Sequence, residues 1–328
     1  MTADFSRRNF LKGSFAFGGL MATGALPALA DDPSLFPQRG RWERLSIVSH
    51  HIKAGASKPF AILHISDTHL TAAYPDESEA IRNRAKTRSI TFGGRQEEAL
   101  RDSLAWAKEH VDYVVHTGDL IDFQTKANFD LIGKLCGDSF SMMTCAPGNH
   151  EFYHEWKKED ACDLLKLLQA AYPFDISFRS SVINGINFVT LDNSSGKVSP
   201  EQAAKFEAEV KKGLPIILAM HCPIKTAHIV RSASRFWRSK NLKDIPDMGK
   251  FICTWKKEVR ENETQDFYAY LASQPLLKAI LAGHNHVTAA DRFSPTAMEY
   301  VVGGNFLFHG STATSPCWLC RWKRCNWN

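Results

Sequence analysis

Short apolar runs rich in β-branched and aromatic residues recur along the chain, and each ends in a polar or glycine-containing turn. Runs of this length and composition predict buried strands. Six segments have this form: Phe60–Ile65, Tyr113–His116, Ser141–Cys145, Ile186–Leu191, Pro215–Met220 and Leu277–Leu281. Directly before the fourth run, the dipeptide Asn184–Gly185 predicts a tight hairpin turn.

Helical spacing of apolar residues characterises segments between several of these strands. The segments are Arg95–His110, Glu155–Ala171 and Pro200–Lys212, the last preceded by a Ser199 cap with a proline at the first helical position. Alternation of strands and helices predicts a layered α/β domain, in which ligands gather at the carboxyl ends of the strands. We find no internal repeat.

Composition narrows the class of protein. The chain has 328 residues, of which 44% are hydrophobic and 23% are charged, and this balance indicates a globular protein with a large core. The net charge of +5 is too small to indicate a nucleic-acid-binding protein. Eight cysteines are too few for a fold that depends on a disulfide framework.

The first thirty residues resemble a twin-arginine export signal. Arg7 and Arg8 precede a short, glycine-diluted apolar stretch, and the segment ends in Ala28-Leu29-Ala30, the small-x-small pattern of a cleavage site. An uncleaved anchor or a chance basic start are the alternatives. We predict that residues 1–30 are removed, that the partner in export is the twin-arginine translocation machinery, and that the mature protein is periplasmic with no membrane span. The resemblance implies folding, and metal loading, before export.

Polar residues follow the predicted strands in five blocks. These are Asp67-Thr68-His69, Gly118-Asp119-Leu120-Ile121-Asp122, Gly148-Asn149-His150-Glu151, His221 and Gly283-His284-Asn285-His286. Each block alone is weak evidence, because Asp-x-His occurs often by chance and Gly-Asp is commonly a turn. Together, and in this order, they resemble the metallophosphoesterase (calcineurin-like) superfamily from about Phe60 to His286.

The donor types in these blocks suit two divalent cations such as Mn, Fe, Zn or Co, and no cysteine is required. The resemblance implies a first metal held by Asp67, His69 and His286, and a second held by Asn149, His221 and His284, with Asp119 bridging both. Residues two apart on an extended strand end share a face, so we expect extended backbone at Asp67 and His69, and likewise at His284 and His286. His221 is the least marked of the ligands.

The implied activity is hydrolysis of a phosphodiester or phosphomonoester by a hydroxide that bridges the two metals. His150 is expected to protonate the leaving oxygen or to stabilise the transition state, and Asp122 to orient His150. Purple acid phosphatases carry a tyrosine ligand at the position of Asp122, which argues against a purple Fe(III) enzyme. Glu151 is interpreted either as a support for the site or as an exposed loop carboxylate, and His116 as structural.

The resemblance implies a four-layered α/β/β/α sandwich, with two mixed sheets flanked by helices, over residues 31–314. A basic, cap-like insertion at about 225–262 interrupts it: residues 225–260 hold ten Lys or Arg against three acidic residues. Arg235 and Arg238 are the candidate contacts to an anionic phosphoester substrate. The alternative is a solvated loop over a small satellite core.

Residues 315–328 change character, with three Trp and three Cys in a short basic tail. We interpret this tail as non-native or as a disordered extension; a redox or metal element built on its Cys-x-x-Cys is the alternative.

Two rival functions stay open for the domain. One is a non-catalytic binding or scaffold relative, and the other is a nuclease acting on a polymer, although no stable nucleic-acid partner is expected.

Overall fold

The computed structural model describes residues 44–152, 161–237 and 262–315. The predicted signal peptide, Arg238 with most of the basic insertion, and the tail after Ser315 lie outside these residues. The strands are β1 Ser46–His51, β2 Phe60–Ile65, β3 Tyr113–His116, β4 Met143–Cys145, β5 Phe178–Ile183, β6 Ile186–Leu191, β7 Ile216–Ala219, β8 Leu277–Ala282, β9 Ala289–Arg292, β10 Met298–Val301 and β11 His309–Ser315. The α-helices are α1 Glu79–Thr91, α2 Gln96–His110, α3 Lys126–Cys136, α4 Ala161–Ala170, α5 Pro200–Val210, α6 Ala227–Trp237 and α7 Asn262–Ser273.

The strands form two mixed sheets. The first has the order β1-β11-β2-β3-β4, in which β11 is parallel to β1 and antiparallel to β2, and β2, β3 and β4 are parallel. The second has the order β5-β6-β7-β8-β10-β9, in which the outer pairs β5–β6 and β10–β9 are antiparallel and the inner pairs are parallel. The prediction of two mixed sheets is confirmed.

Successive side chains of a strand point to opposite faces of its sheet, and they therefore pack into different layers of the fold. Ile62 and Phe188 belong to a core cluster between the sheets, whereas their neighbours Leu63 and Val189 belong to outer clusters. Side chains of α2 and α3 cover the first sheet, and side chains of α5 and α7 cover the second. The predicted α/β/β/α sandwich is therefore the observed architecture.

The local signals in the sequence correspond closely to the observed elements. Ser199 accepts a hydrogen bond from the amide of Gln202, and the Gln202 side chain accepts one from the Ser199 amide, so α5 begins in a full capping box. Asn184 and Gly185 both have positive φ, at 49° and 80°, as the two-residue hairpin between β5 and β6 requires.

Two predicted elements differ in their bounds. The strand expected from Ser141 begins only at Met143, because residues 137–142 form a 3-10 helix. The helix expected over Glu155–Ala171 is observed from Ala161 to Ala170, and its first part falls outside the described residues.

The start of the predicted basic insertion is helical. Helix α6 buries Ile229 and Ala233, and Ile229 packs with Ala289 and Val301 of the second sheet. Arg235 lies exposed near the end of this helix. Within the part of the chain that the structure describes, no helix is long and apolar enough to cross a bilayer.

Candidate metal centre

The carboxyl ends of five strands, from both sheets, converge on one site. Asp67 and His69 follow β2, Asp119 follows β3 and Asn149 follows β4, while His221 follows β7 and His284 and His286 follow β8. The structure thus brings together the seven residues that the sequence singled out as metal ligands. This placement is the one expected for ligands of a layered α/β domain.

Five of these residues hold a left-handed backbone conformation, and four of them, all but Asp119, were expected from the sequence to be extended. Their φ angles are 54° at Asp67, 53° at His69, 54° at Asp119, 67° at His284 and 54° at His286. The expectation of extended strand ends was wrong, because β2 ends at Ile65 and β8 at Ala282, before the ligands begin. It is therefore the turn after each strand, and not strand alternation, that aims these side chains.

One group of donor atoms is formed by Asp67, His69, Asp119 and His286, with one atom of each within 4.8 Å of the others. His286 Nε2 lies 3.1 Å from His69 Nε2 and 3.3 Å from Asp67 Oδ1. Asp119 Oδ2 lies 3.7 Å from His69 Nε2. Two imidazoles and two carboxylates point at one another here, which is a donor set for a divalent cation.

Asp119 also belongs to a second group, with His221 and His284. The same oxygen, Oδ2, lies 3.3 Å from His221 Nε2. His221 Nε2 in turn lies 3.0 Å from His284 Nδ1 and 3.1 Å from Asn149 Oδ1. The two groups therefore share a single carboxylate oxygen.

Contacts behind the imidazoles fix which ring nitrogen faces the site. His221 Nδ1 lies 2.7 Å from the carbonyl oxygen of Thr117, and His69 Nδ1 lies 3.0 Å from Asp122 Oδ1. Because both oxygens can only accept, the proton sits on Nδ1 and the Nε2 lone pair is left for a cation. Asp67 Oδ1 is buried without a hydrogen bond and faces the same space. The residues present fit a two-metal centre.

Burial lowers the pKa of a histidine, whereas a neighbouring carboxylate raises it. The balance of these two effects differs between His221 and His284. Burial alone would lower the pKa of His221, but the charge of Asp119 and the hydrogen bond to it raise this pKa to about 10. Burial, aided by the neighbouring His221, lowers the pKa of His284 to about 3. The carboxylate of Asp119 therefore favours positive charge, a proton or a cation, at His221.

Asp122 and His150 lie beside the first group. His150 Nδ1 lies 3.0 Å from Asp122 Oδ1 and 2.7 Å from the Asp122 carbonyl oxygen, and the His150 amide donates to Asp119 Oδ1 at 2.9 Å. Burial would lower the pKa of His150, but the charge of Asp119 and the hydrogen bond to Asp122 raise it to about 9. The ring keeps 18% of its side-chain surface exposed, so it stands at the open side of the site.

The sequence profile of the calcineurin-like phosphoesterase family matches residues 60–288, which is more than half of the chain. The chain belongs to this family. All seven candidate ligands, together with Asp122 and His150, fall inside the matched range. No curated protein shows significant similarity to the chain.

Solved structures resemble this phosphoesterase domain at low sequence identity. A dimetal phosphatase from Danio rerio is 15% identical, with a TM-score of 0.48, over 78% of this chain and 93% of the other. A purple acid phosphatase from yellow lupin seeds is 14% identical, with a TM-score of 0.48, over 76% of this chain and 45% of the other. A 5'-nucleotidase from Candida albicans is 14% identical, with a TM-score of 0.35, over 80% and 48%. The chain spans about half the length of the last two.

Glu151 binds the backbone of two loops of the candidate site. Its carboxylate is fully buried and accepts hydrogen bonds from the amides of Gly148, Asp119 and Leu120 at 2.7, 2.9 and 2.6 Å. It therefore ties the loop of the shared carboxylate to the loop of Asn149. The interpretation of Glu151 as an exposed loop carboxylate was wrong.

Two glycines let the backbone pass close to these side chains. A Cβ on Gly148 would lie closer than 3 Å to Asp119 and to His221 Cε1. Gly118 has φ of 96°, and a Cβ there would lie 2.6 Å from His221 Nδ1. Only glycine leaves room for the donors at these two positions.

Arg235 is not brought to the site by any hydrogen bond or ion pair among the described residues, and Arg238 lies outside them. In contrast, Arg88 and Phe92, which the sequence analysis did not single out, do contact the site. Arg88 pairs with Asp122, and Phe92 stacks on the ring of His69. Both lie at the end of a helix with no ligand motif, so only a pattern of contacts could reveal them.

Proposed function

We propose that this protein is an exported hydrolase of phosphoesters that works with two divalent metal ions. Asp67, His69 and His286 would hold the first ion, Asn149, His221 and His284 the second, and Asp119 both. The observation that carries the proposal is that Asp119 Oδ2 lies 3.7 Å from His69 Nε2 and 3.3 Å from His221 Nε2. One oxygen in reach of both groups is the geometry that a bridging ligand needs.

When bound, two adjacent divalent cations supply Lewis acidity and a nucleophile at neutral pH for attack on phosphorus. The protein's own contribution lies in the orientation of its side chains. His150 is held at Nδ1 by Asp122, which leaves Nε2 to carry a proton for the leaving oxygen. Asp122 is fully buried, so this hydrogen bond is shielded from water.

The test is hydrolysis of bis(p-nitrophenyl) phosphate and p-nitrophenyl phosphate by protein reconstituted separately with Mn, Fe, Zn or Co. We expect activity that requires metal and falls by at least about 100-fold in Asp119→Asn and in His150→Ala. The ratio of diester to monoester turnover identifies the substrate class. A folded protein that binds no metal would contradict the proposal and favour a scaffold.

We also propose that Arg235 of helix α6 and Arg238, which lies outside the described residues, contribute to binding the anionic substrate. The support is the exposed position of Arg235 within a segment that has a large excess of basic residues. Arg235→Ala should raise the KM for both nitrophenyl esters severalfold, whereas exposed Lys134→Ala on α3 should not. An unchanged KM for Arg235→Ala, measured by steady-state kinetics, would show that Arg235 does not contribute to substrate binding.

Export rests on the sequence of residues 1–30, in particular the pair Arg7 and Arg8. We expect the wild-type precursor to be shortened and found in the periplasmic fraction. Replacing both arginines with lysine conserves the charge but removes the pair that the twin-arginine machinery recognises, so the precursor should stay in the cytoplasm. Immunoblots of cell fractions measure this, and export of the lysine variant would contradict it.

A further inference from the structure

Arg88 makes a two-pronged ion pair beside the site. Its Nε donates to Asp122 Oδ2 at 2.6 Å and its Nη2 donates to Asp122 Oδ1 at 2.7 Å. The carboxylate is fully buried, while the arginine side chain keeps 31% of its surface. Two parallel hydrogen bonds of this kind fix the plane of a carboxylate as well as its position.

The plane of Asp122 matters because two histidines depend on it. His69 Nδ1 and His150 Nδ1 each lie 3.0 Å from Asp122 Oδ1. Rotation of the carboxylate would therefore remove one contact from each ring at once, and would leave His150 Nδ1 with the Asp122 carbonyl oxygen. His69 is a proposed ligand of the first metal, and His150 is the proposed proton donor.

Phe92, directly after the last residue of α1, contacts both the guanidinium of Arg88 and the imidazole of His69. The guanidinium carbon of Arg88 lies 4.8 Å from the centre of the Phe92 ring. Phe92 in turn stacks on His69, with ring centroids 4.1 Å apart and planes 9° apart. His69 is thus held on its face by Phe92 and at Nδ1 by the carboxylate that Arg88 orients.

We propose that Arg88 is a positioning residue of this phosphoesterase: it locks Asp122 so that His69 presents Nε2 to the first metal and His150 faces the open side. The inference rests on the proposed function. Arginine is required by this arrangement, because a lysine ammonium cannot make the paired, coplanar hydrogen bonds.

Metal affinity is the first readout, since it does not depend on turnover. Competition with a coloured chelator should show that Arg88→Ala weakens one of the two bound Zn²⁺ or Mn²⁺ ions by about 10–100-fold, the usual effect of losing support behind a ligand histidine. The other ion should be unaffected. Arg88→Lys should behave like Arg88→Ala. The matched control, Lys86→Gln, removes a positive charge from the exposed face of the same helix and should change neither affinity.

Kinetics separate positioning from substrate binding. With both metal sites saturated, Arg88→Ala should lower kcat at least about tenfold and leave KM within about twofold, because His150 is misaligned while the substrate contacts persist. The double variant Arg88→Ala/Asp122→Asn should be no worse than Asp122→Asn alone, since the proposal has Arg88 act through Asp122.

Three outcomes would overturn the inference: unchanged metal affinity and kcat, a change in KM alone, or additive losses in the double variant. If Arg88→Ala does not fold, as judged by circular dichroism, Arg88→Lys carries the same comparisons. Failure of the proposed function is distinguishable, because a wild-type protein that binds two metals without hydrolysing either ester still yields the affinity comparison.

Discussion

Hydrogen bonds between loops hold left-handed residues of the candidate metal centre in place. The amide of Asp67 donates to the carbonyl of Gly118, and the amide of His69 donates to the carbonyl of Asp119, both at 2.9 Å. Such a backbone conformation costs roughly 1–3 kcal/mol per residue, and Asp and His tolerate it better than most. The two hydrogen bonds therefore help to offset this cost at Asp67 and His69.

Gly148 offers a direct test of how closely the site is packed. Gly148→Ala places a methyl group closer than 3 Å to Asp119, so we expect loss of metal binding and a fall in the free energy of unfolding of at least about 1–3 kcal/mol. Urea denaturation and chelator competition measure the two effects.

Gly133→Ala is the matched control for this substitution. Gly133 lies inside helix α3, and nothing lies within 4 Å of a Cβ placed there. The free energy of unfolding should therefore rise by about 0.4–1 kcal/mol, with metal affinity unchanged. Equal behaviour of the two variants would show that the space around Gly148 is not limiting.

The central strands were predictable because they are buried on both faces. β2, β3 and β6 have the bounds expected from their apolar runs, and nearly all their residues are buried. β1 and β9 lie at sheet edges with mixed exposure, so their sequences carry no comparable run. Helix α1 buries only Ile81 and Ala85, which leaves no apolar stripe to recognise.

For the metal centre, the sequence was sufficient for the identity of the candidate donors but not for their geometry. The motif blocks named each residue that converges, from Asp67 to His286. The left-handed turns were not predictable from spacing, because an Asp-x-His block fits an extended strand equally well. The role of Arg88 could not be predicted from the sequence for another reason. Its partner, Asp122, is 34 residues away and lies outside helix α1.

A buried chain of hydrogen bonds joins the ligand turn after β2 to distant elements. His116 Nε2 lies 3.0 Å from Thr68 Oγ1, which donates to Asn305 Oδ1 at 3.1 Å. Asn305 Nδ2 then donates to Ser103 Oγ on α2 at 2.8 Å. Thr68 stands between Asp67 and His69, so this chain connects β3, α2 and the turn before β11 to two proposed ligands.

Thr68→Val keeps the shape of the side chain but removes the hydrogen bonds that Thr68 Oγ1 makes with His116 Nε2 and with Asn305 Oδ1. The free energy of unfolding should fall by roughly 1–3 kcal/mol, as measured by urea denaturation without metal. Thr87→Val, on the exposed face of α1, is the control and should change stability by less than about 0.5 kcal/mol. A neutral Thr68→Val would mean that the chain of hydrogen bonds contributes little.

The last described strand joins the two ends of the folded domain. β11 pairs with β1 from Ser46↔His309 to His51↔Thr314, and with β2 on its other side. Truncation before His309 should therefore separate β1 from the sheet and prevent folding. Truncation after Ser315 should leave the melting temperature and the phosphoesterase activity unchanged if the tail is a non-native extension.

Thermal unfolding of the two truncated proteins, followed by circular dichroism, decides this. The longer of the two proteins is the informative one for the tail. A lower melting temperature or lower activity after removal of residues 316–328 would show that the tail contributes to stability or to activity, and would contradict its interpretation as non-native.

The insertion of β11 between β1 and β2 also has a consequence for biosynthesis. While the chain emerges from the ribosome, β2, β3 and β4 can pair with one another, but β1 does not gain its partner in the sheet until β11 has been made. The nascent domain therefore exposes the open edge of β2, a surface prone to pairing with other chains. Protection by a chaperone would be needed most in the interval just before β11 is made.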